Sequence, residues 1–311
     1  MRVVFMGTPE FAIPSLQAIL NAGHNVPLVV SVPDRPKGRG RKMIASPVKT
    51  FALEQGLSVA TPEKLKDPDF LSQLKSVDAD VICVVAFRIL PEAVYTIPKR
   101  GSFNLHGSLL PKYRGAAPIQ RAVMAGEKTT GVTTFFLKKK VDTGDVIFRE
   151  EIPVGPDMTA GELHDVMMEV GAGVVARTLA AIESGDIPVA PQDDTAATPA
   201  PKIFREDCLI DWNQSAEIVH NFVRGLSPYP AAYTTWGEET LKVLRSAQTE
   251  AAGEGDPLRP GEIRVEGERL YVGTGTHPIE LLQLQRSGRK AMATPDFLRG
   301  TAVSTGEILG N

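Results

Sequence analysis

Cysteine is scarce: Cys83 and Cys208 are the only two in 311 residues, they lie far apart, and they have no metal-type spacing, so no metal centre is expected. Cys83 falls inside the apolar run Val81-Ile82-Cys83-Val84-Val85 and reads as a buried thiol. No apolar stretch approaches the ~20 residues that cross a bilayer. Met1 leads directly into Arg2-Val3-Val4-Phe5-Met6, with no signal-peptide layout, and a cytoplasmic protein without a membrane partner is expected. Neither sign of charge dominates, since 34 basic and 37 acidic residues leave a net charge of −3. A glycine fingerprint for dinucleotides is missing too. Gly7-Thr8-Pro9-Glu10 follows the first strand-like run but lacks the glycines that let a pyrophosphate approach a helix end, which argues against a nicotinamide dehydrogenase.

What is present is an ordinary globular composition, 42% apolar, in a chain long enough for two domains with a core each. Val3 to Met6, Val26 to Val32 and Val81 to Ala86 are short continuous apolar runs, the pattern of strands buried in a parallel sheet. Between them, helical spacing predicts a helix capped by Thr8 with Pro9 in its first turn, a second near Pro47 to Glu54, and a third from about Pro62 to Leu74. Strands are also expected at Leu57 to Ala60, Gly101 to His106, Thr130 to Leu137 and Val146 to Val154, and a helix at Ala117 to Ala125. Thr159 and Glu162 form a capping box ahead of a long amphipathic helix reaching Ile182. From Pro188 to Pro201 the composition shifts to Pro, Ala, Thr and Asp, which reads as a linker. Beyond it, a helix at Ser215 to Leu226 precedes short strand-like runs separated by Gly-rich turns, the signature of a small barrel. The fold class is therefore α/β: a Rossmann-like, mostly parallel catalytic domain over residues 1–189, a linker over 190–206, and an OB-like β-barrel over 207–311.

Two local features suggest chemistry. In Ser102-Phe103-Asn104-Leu105-His106, the period of two puts Asn104 and His106 on one face of a strand. Together they can donate two hydrogen bonds to one oxygen, the arrangement a tetrahedral acyl-transfer oxyanion requires. Asp142, in the tight turn Asp142-Thr143-Gly144-Asp145, is the best carboxylate to orient the imidazole or relay a proton, with Asp145 behind it. The second feature is Pro33-Asp34-Arg35-Pro36-Lys37-Gly38-Arg39-Gly40-Arg41-Lys42, with five basic residues against one acidic. It reads either as a solvated loop or as an arm that neutralises nucleic-acid phosphates, with glycines letting it mould to the backbone.

Taken together, Phe103 to Pro111, Tyr113-Arg114-Gly115-Ala116-Ala117-Pro118-Ile119-Gln120-Arg121 and Asp142-Thr143-Gly144-Asp145 resemble the formyltetrahydrofolate-dependent formyltransferases. Phe5 to Ala12, Pro33 to Pro36, Ser46 to Lys49 and Leu226 to Ala232 extend that resemblance over nearly the whole chain, most closely to the branch that formylates a charged initiator tRNA. The resemblance implies 10-formyltetrahydrofolate as co-substrate, no metal, and methionyl-initiator tRNA as acceptor, with tetrahydrofolate released and a monomeric enzyme. It places the catalytic trio on Asn104, His106 and Asp142, and the folate-contacting segment on Ser108, Leu109, Leu110 and Pro111. Arg88, Ile89 and Leu90 would help enclose the pterin, and Arg35, Lys37, Arg39, Arg41 and Lys42 would form the tRNA-recognising arm. Two departures stand out: Phe87-Arg88-Ile89 is similar to the purine-pathway formyltransferase instead, and Lys138-Lys139-Lys140 replaces an acidic, Gly-containing loop. Those lysines are expected to contact either a folate glutamate tail, RNA phosphate, or only solvent. The competing readings are a formyltransferase of small amines and a non-catalytic folate- or RNA-binding module. The basic arm and β-rich second domain disfavour the former, and the intact trio disfavours the latter.

Overall fold

A computed structural model of the chain describes residues 1–37, 42–249 and 258–310. In chain order its strands and helices are β1 (Arg2–Gly7), α1 (Ile13–Asn21), β2 (Asn25–Val30), β3 (Arg35–Lys37), β4 (Lys42–Ile44), α2 (Pro47–Glu54), β5 (Val59–Ala60), α3 (Pro68–Ser76), β6 (Val81–Val85), α4 (Glu92–Tyr95), β7 (Ser102–His106), β8 (Arg114–Gly115), α5 (Pro118–Met124), β9 (Thr129–Phe136), β10 (Val146–Pro153) and α6 (Ala160–Ser184). They continue with β11 (Pro199–Ala200), α7 (Ala216–Leu226), β12 (Ala232–Trp236), β13 (Glu239–Gln248), β14 (Ile263–Glu266), β15 (Arg269–Val272), β16 (Ile279–Arg286), β17 (Met292–Ala293) and α8 (Thr294–Gly300). Two compact units result. One comprises Met1–Pro118, Thr130–Ile152 and His164–Ala200; the other comprises Ile119–Thr129, Pro153–Leu163 and Pro201–Asn311.

The first unit is built on a seven-stranded sheet in the order β10-β9-β7-β6-β1-β2-β5. The pairs β1/β2, β1/β6, β2/β5 and β6/β7 are parallel, and β7/β9 is antiparallel. The mostly parallel Rossmann-like sheet expected from the apolar runs is thus present. Val4, Met6, Ile82 and Val84 are buried in it against Leu28, Val30, Phe70 and Leu74. The chain first winds outward from β1 through β2 to β5, then crosses to β6 and β7 on the other side. The order therefore reverses between β1 and β6, and a ligand crevice in such a sheet opens outside the carboxyl ends at that point. The residues after β1, β6 and β7 lie there.

Local chemistry sets the helix starts. Ser46 accepts a hydrogen bond from the Lys49 amide at 3.1 Å, and Pro47 begins α2 where the sequence predicts. The Thr159/Glu162 box also forms, with Thr159 N–H to Glu162 Oε2 at 2.8 Å and Glu162 N–H to Thr159 Oγ1 at 3.2 Å. Two starts differ from expectation. Thr8 caps nothing, because extended Pro9 precedes a tight single turn, Ala12 N–H to Pro9 O at 3.1 Å, and α1 begins only at Ile13. The third helix begins at Pro68 instead of Pro62, since the Asp67 carboxylate caps both the Asp69 and Phe70 amides. The basic loop carries an unforeseen hairpin, β3 against β4, with Lys37 opposite Lys42.

In the second unit an antiparallel sheet runs β12-β13-β16-β15-β14, with β17 pairing β16. Trp212, Val219, Val223, Leu226, Leu241, Leu281 and Phe297 fill its core. The carboxyl-terminal segment links the two edges: Leu309 N–H donates to Gly261 O at 2.8 Å beside β14, and Gly310 N–H to Thr235 O at 2.9 Å in β12. This gives the unit its barrel-like form and covers edges that would otherwise stay open. Among the described residues, no helix is long and apolar enough to cross a membrane.

Candidate active site

Strand β7 lies inside the sheet, so its side chains are held from both neighbours: Asn104 is paired with Val84 of β6 and Phe135 of β9, and His106 with Thr133. Asn104 is half-buried, and its side-chain amide makes no hydrogen bond among the described residues. Being only partly buried, this amide is free to hydrogen-bond to solvent or to a bound group.

His106 is buried, and its Nε2 lies 2.8 Å from the Tyr113 carbonyl. A carbonyl only accepts, so Nε2 carries a proton, and Nδ1 is the ring nitrogen on the Asp142 side. Nδ1 accepts a proton in the neutral ring and donates in the imidazolium. Tyr113 reaches this geometry with φ of +59°, a left-handed backbone unusual for a side chain of its size.

Asp142 comes from the turn after β9, also left-handed with φ of +54°. Its Oδ2 accepts the Gly115 amide at 2.9 Å and lies 3.9 Å from His106 Nδ1. Oδ1 makes no hydrogen bond among the described residues. The turn needs Gly144, where a Cβ would lie 1.5 Å from the Phe136 carbonyl oxygen. Gly115 is equally constrained, with φ of +132° and the Ala200 carbonyl oxygen 2.4 Å from any Cβ. Asp145 is engaged elsewhere, paired with Lys138 at 2.7 Å. The sheet and turns thus bring an open amide, a ring nitrogen and a carboxylate to one crevice.

The segment Ser108–Pro111 is fixed from below. Thr133 Oγ1 donates to the Ser108 carbonyl at 2.6 Å and accepts from the Leu110 amide at 3.1 Å. Arg149 Nε donates to the Leu110 carbonyl at 2.8 Å, and Ser108 Oγ to the Lys112 carbonyl at 2.6 Å. Leu110 is buried, and the Leu110–Pro111 bond is cis. Leu109 and Pro111 are partly exposed. Thr133 and Arg149 carry no motif that would have marked them in advance, since one is a strand Thr and the other a strand Arg.

Arg88, Ile89 and Leu90 follow β6 at the switch point. Arg88 donates to the carbonyls of Pro62 and Glu63 at 2.8 and 3.0 Å, so its guanidinium braces a neighbouring loop. Ile89 is 74% exposed, whereas Leu90 packs into the core. Of the basic arm, Arg35 is exposed at the start of β3, and Asp34 beside it pairs with Lys49 at 2.7 Å. Lys37 and Lys42 are paired across the hairpin, and Arg39 and Arg41 lie outside the described residues. Among the described residues, no three His, Cys, Asp or Glu side chains are placed to hold a metal ion.

Asn104 and His106 thus share one face of β7, with the Asp142 carboxylate 3.9 Å from the ring. Comparison with known proteins gives the family. Residues 1–179 match the formyl transferase family and residues 202–302 its carboxyl-terminal domain. The chain is 46% identical to "Methionyl-tRNA formyltransferase" of Moorella thermoacetica, over 100% of this chain and 99% of that one. It is 48% identical to the protein of the same name from Chlorobium luteolum, over 96% of each. Among solved structures it superposes on "Methionyl-tRNA formyltransferase from Clostridium thermocellum" with a TM-score of 0.57 at 15% identity, covering 81% of this chain and 95% of that one. WlaRD, a sugar 3N-formyl transferase, gives a TM-score of 0.65 at 17% identity, covering 93% and 99%. The chain belongs to the formyl transferase family.

Proposed function

We propose that this protein transfers the formyl group of 10-formyltetrahydrofolate to the α-amine of methionine charged on initiator tRNA. The observation that carries the reading is the half-buried, unengaged Asn104 amide on the same strand face as His106, with Asp142 Oδ2 3.9 Å from that ring. Identity of 46–48% to methionyl-tRNA formyltransferases over 96% or more of the chain supports the same acceptor.

In this reading the amine nitrogen attacks the formyl carbon and a tetrahedral oxyanion forms. Asn104 Nδ2–H and His106 Nδ1–H, the latter as imidazolium, donate to that oxygen, which stabilises the transition state more than the ground state. Asp142 Oδ1, open in the free protein, takes the proton the amine must lose and passes it towards N10 of the folate. The carbon–N10 bond then breaks, leaving formyl-methionyl-tRNA and tetrahydrofolate. Ser108–Pro111 and the backbone of residues 88–90 flank the folate. Arg35, Lys37, Arg39, Arg41 and Lys42 form an arm against the tRNA acceptor end. The domain division is residues 1–189, 190–206 and 207–311, and the enzyme works as a monomer in the cytoplasm.

The decisive assay follows formyl transfer to charged initiator tRNA, with His106→Ala as control and light scattering for the mass. Transfer abolished by the substitution is expected. Transfer to a small amine but not to methionyl-tRNA would overturn the acceptor.

A further inference from the structure

Gln192 lies in the Pro-, Ala- and Thr-rich stretch whose composition resembles a spacer, yet its side chain is engaged on every polar atom. Nε2 donates to the Asp142 carbonyl at 3.0 Å and to the Gly144 carbonyl at 2.7 Å. Oε1 accepts from Arg114 Nε at 3.2 Å and from Arg114 Nη2 at 2.8 Å. Arginine has donors only and carbonyls accept only, so the amide has one possible orientation. Arg114 is itself anchored by Asp194 at 2.7 Å, and hydrogen bonding to that arginine, followed by its charge, holds the Asp194 carboxyl below its ordinary value.

The stretch is tied down along its length. Thr198 Oγ1 accepts the Tyr113 amide at 2.8 Å, its carbonyl accepts the Arg114 amide at 2.8 Å, and β11 pairs in parallel with β8. Residues 113–115 supply the carbonyl that engages His106 and the amide that engages Asp142. The Gln192 amide therefore bridges the two peptide segments that set the Asp142–His106 distance. It also clamps the left-handed Asp142 turn, a strained backbone conformation that persists where its surroundings hold it.

We infer that Gln192 is a positioning residue for Asp142: its amide, oriented by Arg114, holds the 142–144 turn so that the carboxylate stays against Gly115 and beside His106. The inference rests on the formyl-transfer reading only for its kinetic arm. Gln192→Glu is nearly isosteric and keeps an acceptor for Arg114, but it replaces two N–H donors with an oxygen facing two carbonyl oxygens, which repels the turn.

The experiment compares wild type, Gln192→Glu, Asp142→Asn and the double variant. Gln192→Glu should lower kcat by about tenfold to a hundredfold, the range expected when a catalytic group is misplaced by about an ångström, with the folate KM little changed. In the Asp142→Asn background the same change should cost far less, because residues that act as a unit are not additive. The Gly115 amide proton, observed by NMR in the substrate-free protein, should move upfield in Gln192→Glu as its bond to the carboxylate lengthens. A wild-type kcat, a loss undiminished in the Asp142→Asn background, or an unmoved Gly115 amide would each overturn the inference, even if Gln192→Glu melted at a lower temperature. If the wild type formylated no charged tRNA, the proposed function would fall, and the Gly115 resonance would still decide the role of Gln192.

Discussion

His106 Nε2 donates to the Tyr113 carbonyl 2.8 Å away, and Nδ1 is the ring nitrogen on the Asp142 side. A substitution that keeps a polar atom at the Nδ1 position must then preserve more activity than one that keeps it at Nε2. Asparagine places its amide where Nδ1 sits, and glutamine reaches towards Nε2. We expect both variants to lose at least about a hundredfold in kcat, as removal of an oxyanion donor does, with His106→Asn the faster of the two. Steady-state formylation with charged tRNA checks the order, and a faster His106→Gln would assign the site-facing role to Nε2.

Thr133 sits directly beneath the Ser108–Pro111 segment and satisfies two of its buried backbone groups. Thr133→Val keeps the shape and removes both bonds, leaving a carbonyl and an amide unsatisfied at a cost of about 1–3 kcal/mol. Because the segment is proposed to contact folate and not the reacting carbon, KM for 10-formyltetrahydrofolate should rise several-fold while kcat changes less. Equal losses in kcat and in kcat/KM, with KM constant, would place the segment's contribution in the transition state instead.

How much of this was legible in the sequence depends on where the information is stored. The parallel sheet was readable because both faces are buried, so β1 and β6 show unbroken apolar runs. Asn104 and His106 were readable because period two fixes their common face. Asp142 could be picked from its tight turn as the best carboxylate candidate, and the family resemblance strengthened that choice, but its place 3.9 Å from the ring is set only by the folded chain. Gln192 and Thr198 were not readable at all. Their bonds go to backbone atoms of other segments, and a residue that recognises a carbonyl or an amide leaves no matching side chain in the sequence. The hairpin β3/β4 was hidden for another reason: Pro36, Lys37 and Lys42, which pair within it, are of types depleted in strands.

The basic arm is testable through salt. If Arg35, Arg39, Arg41 and Lys42 neutralise tRNA phosphates, replacing them with Gln weakens tRNA binding and flattens the log K against log salt plot by roughly 0.7–0.9 for each phosphate no longer neutralised. Fluorescence titrations at increasing salt concentration measure the slope. A slope equal to that of wild type would remove the arm from the interface, whatever happened to the affinity at a single salt concentration.

The last prediction concerns His220, buried on α7, whose pKa lies below its ordinary value. Nε2 donates to the Pro156 carbonyl at 3.1 Å, and Nδ1 lies 3.1 Å from Ser246 Oγ, which can donate to it. Burial lowers its pKa, the Pro156 bond opposes that shift, Arg224 adds to the lowering, and Asp157, 3.4 Å from Nε2, opposes it. The unfolded chain therefore takes up a proton near pH ~6.5 that the folded chain still refuses. Between the folded and unfolded values the unfolded state binds more protons, so stability rises with pH through that window. The contribution is complete above about pH 6.5 and is lost as pH falls through the folded value. His24 is shifted in the same direction by burial, so the comparison must be against a variant and not against pH alone. His220→Gln keeps a donor for the Pro156 carbonyl and cannot titrate. Urea denaturation at neutral pH and at roughly pH 5.5, a unit below the ordinary histidine value, should show the wild type losing more stability than His220→Gln on acidification. Equal losses in the two proteins would mean that His220 takes up its proton without opposing the fold.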